Sequence, residues 1–553
     1  MRRSDASDLW WKNAVIYCVD VKKYLDDDGD GTGDLQGLVR RVDYLAELGV
    51  SCLWLMPIYT TPGRDGGYDV SDFYGIDPAL GTHGDLVELI RTARDRGIRV
   101  VLDLLVNHTS DRHPWFVNAR RSRTARYRDF YVWKDEIPKD SPETVFPGEE
   151  DGVWAWEERT EQYFHHNFYH HQPDLNVENP EVREEIAKVI GFWLELGVSG
   201  FRIDAVPSFV ASNSVAPGVT EQDHGVLKSL RGFAQRRSSE AMLLGEVNLP
   251  YAEQEPYFGS QGDGELHMQF DFVANQALYL SLARQDPAAL VEALTSRPEL
   301  PEAAQWGIFV RNHDELTLDQ LGDAERQEVF DAFGPQEDHQ LYGRGLRRRL
   351  PPMLEGDPRR IRMVYSLMFS LPGTPVLFYG EEIGMGENLD VEGRTAVRTP
   401  MQWSEAGGFS PAAPSRHVLP TTQGAYGPRH VNVEEQLTDP GSLLHHVRGL
   451  AQTYRRSPEI GWGSLEVLDP GCDGVLAHAC SSDVGRFVGA HSFVPEPRSV
   501  RLAIGEEPPG TFLVCLAGGE TFHPGDDGVV ELDLDSYGAR RLRVCRPGDR
   551  RLR

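Results

Sequence analysis

Residues 100–108 read VVLDLLVNH. The run is apolar apart from Asp103, which marks a buried strand of a parallel sheet, and it leads into Asn107 and His108. Two shorter runs precede it, 14–19 (AVIYCV) and 52–56 (CLWLM). Between them Leu38, Val42, Leu45 and Leu48 fall at helical spacing, with Gly49 as the stop signal. Residues 86–93 carry a second amphipathic pattern. Strand–helix–strand–helix over the first 110 residues predicts βαβ units.

The alternation breaks over 109–173, which is rich in Arg, aromatics and His, lacks a helical period and is too long for an ordinary loop. It resumes after Pro180 with a helix over 181–197. The runs 200–206 (GFRIDAV), 242–247 (MLLGEV), 269–273 (QFDFV), 306–310 (WGIFV) and 375–379 (PVLFY) bring the strand count to eight. Eight parallel strands with intervening helices close a (β/α)8 barrel. Residues 317–360 form a second, charged insertion, followed by a helix over 360–369. From 461 onward, short strands over 475–479, 487–494, 511–517 and 529–534 alternate with Gly/Pro/Asp turns, as in an antiparallel sandwich. The expected fold class is α/β. It comprises a TIM barrel over 1–108 and 176–460, a small inserted domain over 109–175 after strand 3, and a C-terminal antiparallel β-sandwich over 461–553.

Composition narrows the function. Hydrophobic residues make up 40% of the 553, which excludes wholesale disorder. With 56 Lys+Arg against 85 Asp+Glu the net charge is −29, so nucleic acid and anionic lipid are repelled and neither is expected as a partner. The first 12 residues hold no apolar signal-peptide core, and no run of 18 apolar residues predicts a membrane span. Six cysteines without a C-x-x-C pair read as reduced, buried thiols, and the expected location is the cytoplasm. Phosphate-loop, dinucleotide and serine-elbow motifs are missing from the sequence. Nothing in it decides whether the chain forms a homo-oligomer.

The C-terminal strand ends of such barrels carry active sites. Here they offer Asp103, Asn107 and His108 after strand 3, Arg202 and Asp204 on strand 4, Glu246 on strand 5, and His313 and Asp314 after strand 7. Retaining glycoside cleavage needs one carboxylate to attack the anomeric carbon and a second carboxyl to protonate the leaving oxygen. Arg202 and Asp204, two apart on one strand, share a face, so the cation would favour the charged, nucleophilic form of Asp204. Glu246, set among Leu243, Leu244 and Val247, would have its pKa raised towards an acid's range. Ordinary structural salt bridges would account for any one of these carboxylates, but poorly for three at successive strand ends.

Three further motifs stand out. In 26–34 (DDDGDGTGD), Asp26, Asp28, Asp30, the Thr32 carbonyl and Asp34 fall at positions 1, 3, 5, 7 and 9 of a calcium loop, with Gly31 at the sharp turn. Position 12 is Gly37 instead of Glu, so the expectation is a structural Ca2+ loop other than an EF-hand. Asp65-Gly66-Gly67-Tyr68 predicts a tight turn that sets Tyr68 over the barrel mouth. The four histidines of 165–171 (HHNFYHH) lack partners at metal-ligand spacing and read as an aromatic, hydrogen-bonding pocket wall.

Together DLLVNH (103–108), GFRIDAV, LLGEV (243–247), RNHDE (311–315) and QPDLN (172–176) resemble the signature regions of the α-amylase superfamily of glycoside hydrolases (family 13). The stretches 306–321, 377–389 and VRTPMQW (397–403) are most similar to its trehalose synthase (maltose α-D-glucosyltransferase) branch. The resemblance implies Asp204 as nucleophile, Glu246 as acid/base and Asp314 as transition-state stabiliser. It implies that Arg202, His108 and His313 line the subsite for the reacting glucose, that Tyr68 and Phe168 stack on it, and that Asp65 and Arg398 pair behind it. It further implies maltose–trehalose interconversion through a glucosyl-enzyme with side hydrolysis, on a small α-glucoside. An exo-α-glucosidase, an isomerase of another α-glucoside and a catalytically dead scaffold are the rivals. Two departures matter: Ser208 and Ala211 stand where the branch offers more oxygen ligands for a second calcium near Asn107 and Asp174, and the acceptor-side segment 212–225 is worded differently.

Overall fold

The computed structural model describes residues 9–211, 224–260 and 263–549. Eight parallel strands close a barrel in chain order. They are β1 (Ile16–Val19), β2 (Cys52–Leu55), β3 (Arg99–Leu104), β4 (Gly200–Ile203), β5 (Met242–Gly245), β6 (Met268–Phe270), β7 (Gln305–Phe309) and β8 (Thr374–Phe378). Closure is the β1–β8 pairing, Ile16 opposite Val376 and Cys18 opposite Phe378. Apart from the first residue of β3, every strand position is buried, because side chains fill the lumen on one face and meet helices on the other.

Differences from the expected boundaries have local causes. β6 stops at Phe270 because Asp271 turns the chain: its carboxylate accepts the Ala274 N–H and caps the helix Phe272–Arg284. The helix expected over 38–48 is two, Leu35–Val39 and Val42–Leu48, broken at Arg40 and Arg41. Gly49 ends the second at φ 100°, as its stop signal predicts.

After β3 the chain builds a short helix, Pro114–Ala119, and a three-stranded antiparallel sheet of Trp133–Lys134, Gln162–His165 and Trp154–Glu157. Bridges His108–Asp174 and Tyr131–Leu175 tie its root to the end of β3. After β7 a second excursion carries the small sheet Leu316–Thr317, Gly345–Leu346 and Gln340–Leu341 and the helix Asp323–Phe333. Beyond the barrel, six antiparallel strands between Ser464 and Cys545 form one sheet, and Arg498–Ala503 pairs with Val529–Leu534 in a second. Inward residues such as Val488, Val500, Leu502, Leu532 and Leu542 give this unit its own core. Its seam with the barrel is polar and buried: Arg543 pairs with Glu459 at 2.7 Å, and His478 Nε2 lies 2.8 Å from the Ser370 carbonyl.

Candidate active site

The alternation that fills the barrel also delivers its chemistry. Arg202, inward on β4, is 1% exposed. Its Nη1 binds Asp204 and, at 3.1 Å, Asp103 of β3, while its Nη2 binds Glu246 at 2.8 Å. Three carboxylates from three neighbouring strands thus share one guanidinium. Ala205 adopts φ 46°, a left-handed conformation costly for a residue with a Cβ. That turn aims its N–H at Glu246 Oε2, 3.1 Å away.

The carboxyls are held in different electrostatic states. Burial pushes Glu246 up, and the charges of Asp204 and Asp314 add to this against the pull of Arg202. Burial also lifts Asp103, to about 7, despite Arg202. Asp314 goes the other way. Burial alone would raise it, but His313, Arg394 and Arg398 together hold it well below the usual carboxylate range. Burial lowers His313, against the pull of Asp314. One carboxyl biased towards its protonated form beside one held ionised is what acid and stabiliser roles require.

The other expected residues gather around this cluster. Asp65-Gly66-Gly67-Tyr68 forms the tight turn, with φ 59° and 106° at the glycines and the Tyr68 N–H on the Asp65 carbonyl at 2.9 Å. Tyr68 gives its hydroxyl to Asp103 at 3.0 Å, lies 2.7 Å from His313 Nε2, and stacks its ring on His313 with centroids 5.6 Å apart. His108 Nε2 is 3.1 Å from the Tyr68 carbonyl, and its ring meets Phe168 at 5.3 Å.

The expected pairing of Asp65 with Arg398 is not what the structure shows. Arg398 instead binds Asp314 at 2.8 Å and the His313 carbonyl at 2.6 Å. Asp65 pairs with Arg394 at 2.7 Å, and the same guanidinium reaches Asp314 at 2.9 Å. The two arginines sit at opposite ends of the 3-10 turn Gly393–Val397, so Arg394 faces Asp65 while Arg398, just past the turn, meets the His313 carbonyl in the loop after β7. Gln172 completes the grip on Asp65 at 3.0 Å. Arg394 was not singled out from sequence, and Gln172 was named only as part of the QPDLN stretch, with no role. Trp54 was missed as well; its ring lies under Arg202 at 5.3 Å and meets His313 edge-on. Its place at the end of β2 was the available signal.

Within the acidic loop, Asp26, Asp28 and Asp34 can bring one carboxylate oxygen each within 4.8 Å of one another. Asp26 accepts the N–H groups of Gly29 and Gly31 at 2.7 and 2.8 Å. Gly31 is required there, since a Cβ would come within 2.1 Å of the Arg416 carbonyl. Asp30 is outside that trio and instead accepts the Thr32 N–H at 2.7 Å. Asp34 caps the helix Leu35–Val39 through the Gly37 N–H. Asp28 is pulled down by the Asp30 N–H, yet burial and the charges of Asp30, Asp26 and Asp34 raise it overall. Crowded hard oxygens with unneutralised charge fit a divalent cation such as Ca2+. Near Asn107, Asp174 already accepts the Asn107 amide at 3.1 Å and the Asn167 N–H at 3.2 Å. The four histidines go to separate partners: His165 to Asp174, His166 to the Phe168 carbonyl, His170 to Glu150, and His171 onto Tyr169. Residues 212–223 of the acceptor-side segment lie outside the described residues.

A closed eightfold barrel with three rim carboxylates gathered on one arginine defines a class, the barrel enzymes of glycosidic chemistry. Comparison with known proteins narrows it. The alpha-amylase catalytic domain family matches residues 18–329 and 348–463. The chain is 38% identical to a trehalose synthase of Pimelobacter sp. over 97% of its own length and 96% of that protein's. It is 41% identical to the trehalose synthase/amylase TreS of Mycolicibacterium smegmatis over 85% of this chain and 80% of that one. The solved α-amylase from H. orenii superposes with a TM-score of 0.77 at 27% identity, covering 96% of this chain and 99% of that one. The chain belongs to the α-amylase family, glycoside hydrolase family 13.

Proposed function

We propose that this protein is a retaining α-glucosyl-transferring enzyme that interconverts maltose and trehalose, with some hydrolysis. What carries the reading is the shared guanidinium: Arg202 holds Asp204 and Glu246 side by side while burial biases Glu246 towards its acid form. Asp204 attacks the anomeric carbon as Glu246 protonates the glycosidic oxygen, giving a glucosyl ester of Asp204 and a free sugar. Glu246, now a carboxylate, takes the proton of whichever hydroxyl attacks next. Re-attack by a different hydroxyl of the retained glucose yields the isomer; attack by water yields glucose. Asp314, kept ionised by His313, Arg394 and Arg398, grips sugar hydroxyls more tightly as the ring flattens. Asp65, Tyr68, His108, Phe168, His313 and Arg398 are proposed to bind the reacting glucose. The trehalose synthase name of the relatives favours isomerisation over simple hydrolysis.

Incubation with maltose followed by sugar chromatography is the test. Trehalose alongside glucose is expected; glucose alone would remove the isomerase reading and leave an exo-α-glucosidase. We further propose that Asp26, Asp28 and Asp34, as crowded carboxylates, hold a structural Ca2+, with Asp30 and the Thr32 carbonyl as further ligands. No described helix is long and apolar enough to cross a membrane. Six free cysteines fit a reducing compartment, and the proposed location is the cytoplasm.

A further inference from the structure

The excursions that follow β3 and β7 meet each other over the barrel mouth, where Tyr342 of the second reaches Phe146 of the first. Gln340–Leu341 and Gly345–Leu346 form a hairpin closed by the Arg344 N–H on the Leu341 carbonyl at 3.1 Å. Its two central residues, Tyr342 and Gly343, both have positive φ, 54° and 65°. Such a turn favours Asn or Gly at its first central position, where a tyrosine is strained. The strain puts the side chain to use. The Tyr342 ring packs on Phe146 with centroids 5.1 Å apart, its hydroxyl faces Tyr169 and donates to Glu149 Oε1 at 3.4 Å, and the Arg344 guanidinium lies 5.5 Å from the ring. Phe146, 2% exposed, in turn stacks on Tyr169 at 4.5 Å, touches Phe168 at 6.0 Å, and lies under Arg394 at 5.4 Å. A line of aromatic contacts therefore runs from the hairpin tip to Phe168 and the guanidinium that joins Asp65 to Asp314.

We propose that Tyr342 is a specificity-determining residue: its clasp on Phe146 and Tyr169 roofs the site and sets the share of glucosyl-enzyme that water intercepts. This rests on the glucosyl-transfer reading given above. In the intercepted step the water oxygen bonds the anomeric carbon, the Asp204 carboxylate leaves, and Glu246 takes the water's proton. Tyr342 touches neither of those carboxylates, so it alters access and leaves the bond-making groups in place. An observed backbone outlier at the rim of a reactive site, held by aromatic packing, is the ground for assigning it a function.

The test uses the full chain and an aryl α-glucoside with added glucose. Aryl alcohol release reports formation of the glucosyl-enzyme, and the ratio of transfer products to free glucose formed from the labelled donor reports its fate. Tyr342→Gly suits the turn, so it removes the side chain without straining the backbone. For this variant we expect the transfer-to-hydrolysis ratio to fall by fivefold or more, with aryl alcohol release within about twofold of the parent. Tyr342→Phe keeps the ring and is expected to retain most of the ratio. An unchanged ratio in Tyr342→Gly, or a loss of release and ratio together, would overturn the proposal. Should Tyr342→Gly fail to fold, Tyr342→Asn, equally suited to the turn, is read by the same two criteria. If the parent makes transfer products from the aryl donor but no trehalose from maltose, the isomerase reading fails while the clasp is still tested.

Discussion

Arg394 joins two carboxylates that the chemistry needs charged, so replacing it has consequences that follow from the geometry. Arg394→Met removes the 2.7 Å bond to Asp65 and the 2.9 Å bond to Asp314. Hydrogen bonds between charged groups are worth about 1.5–3 kcal/mol each. Arg398 still holds Asp314 at 2.8 Å, which preserves part of that grip. The net loss is then about 2–4 kcal/mol of transition-state stabilisation, or roughly 30- to 1,000-fold in kcat/KM. The pH profile should move as well. Burial raises both Asp65 and Asp314, and Arg394 is among the cations that outweigh it and keep both low. Without that cation both carboxyls protonate at higher pH, so the acid limb of kcat/KM shifts upwards. Arg394→Lys, a point charge that cannot span both carboxylates, should fall between the parent and Met. The assay is initial-rate hydrolysis of an aryl α-glucoside from acid to neutral pH. A Met variant within threefold of the parent, with its acid limb in place, would refute this account of the rim.

Tyr68→Phe leaves Asp103 and His313 each short of a hydroxyl partner and should lower kcat/KM by roughly ten- to a hundredfold with the melting temperature little changed, as paired kinetics and melts would show. His113, His446 and His478 are pushed by burial to about 4. Their unfolded forms titrate near 6.5, so stability is complete above that pH and is lost as pH falls from about 6.5 towards 4, by about 3 kcal/mol at most for each group. Melting curves over this window should drop steadily, and His478→Gln should flatten part of the drop; a flat parent curve would contradict it. Exhaustive dialysis against EDTA should lower the melting temperature of the parent and leave that of Asp26→Asn unmoved, because a cation held by the acidic loop stabilises only the folded chain. Equal melts with and without chelator would count against the calcium.

The barrel could be read from sequence because its strands are buried on both sides, and continuous apolar runs announce that. Asp204 and Glu246 could be read because each directly follows a strand that was itself legible. What escaped was set by tertiary geometry. Arg394 meets Asp65 across 329 residues, through a short turn with no periodicity to mark it. The expected partner, Arg398, lies only four positions on, so motif spelling could not separate the two. The left-handed Ala205 gave no signal, since sequence rules assign positive φ to glycine, asparagine and aspartate. The break at Arg40 and Arg41 left the apolar spacing of 38–48 intact, so one helix was expected where two form. Strands of two residues, such as Trp133–Lys134 and Gln340–Leu341, are too short to carry any period.

The claim on which the mechanism rests is that a glucosyl group passes onto Asp204. It is tested most directly by quenching Glu246→Gln during turnover of an activated α-glucosyl donor and mapping the covalent adduct by peptide mass spectrometry. A single glucosyl group on the peptide that carries Asp204, lost in the double variant with Asp204→Ala, is the predicted result. An adduct on another carboxylate, or rapid turnover that persists in Asp204→Ala alone, would contradict it.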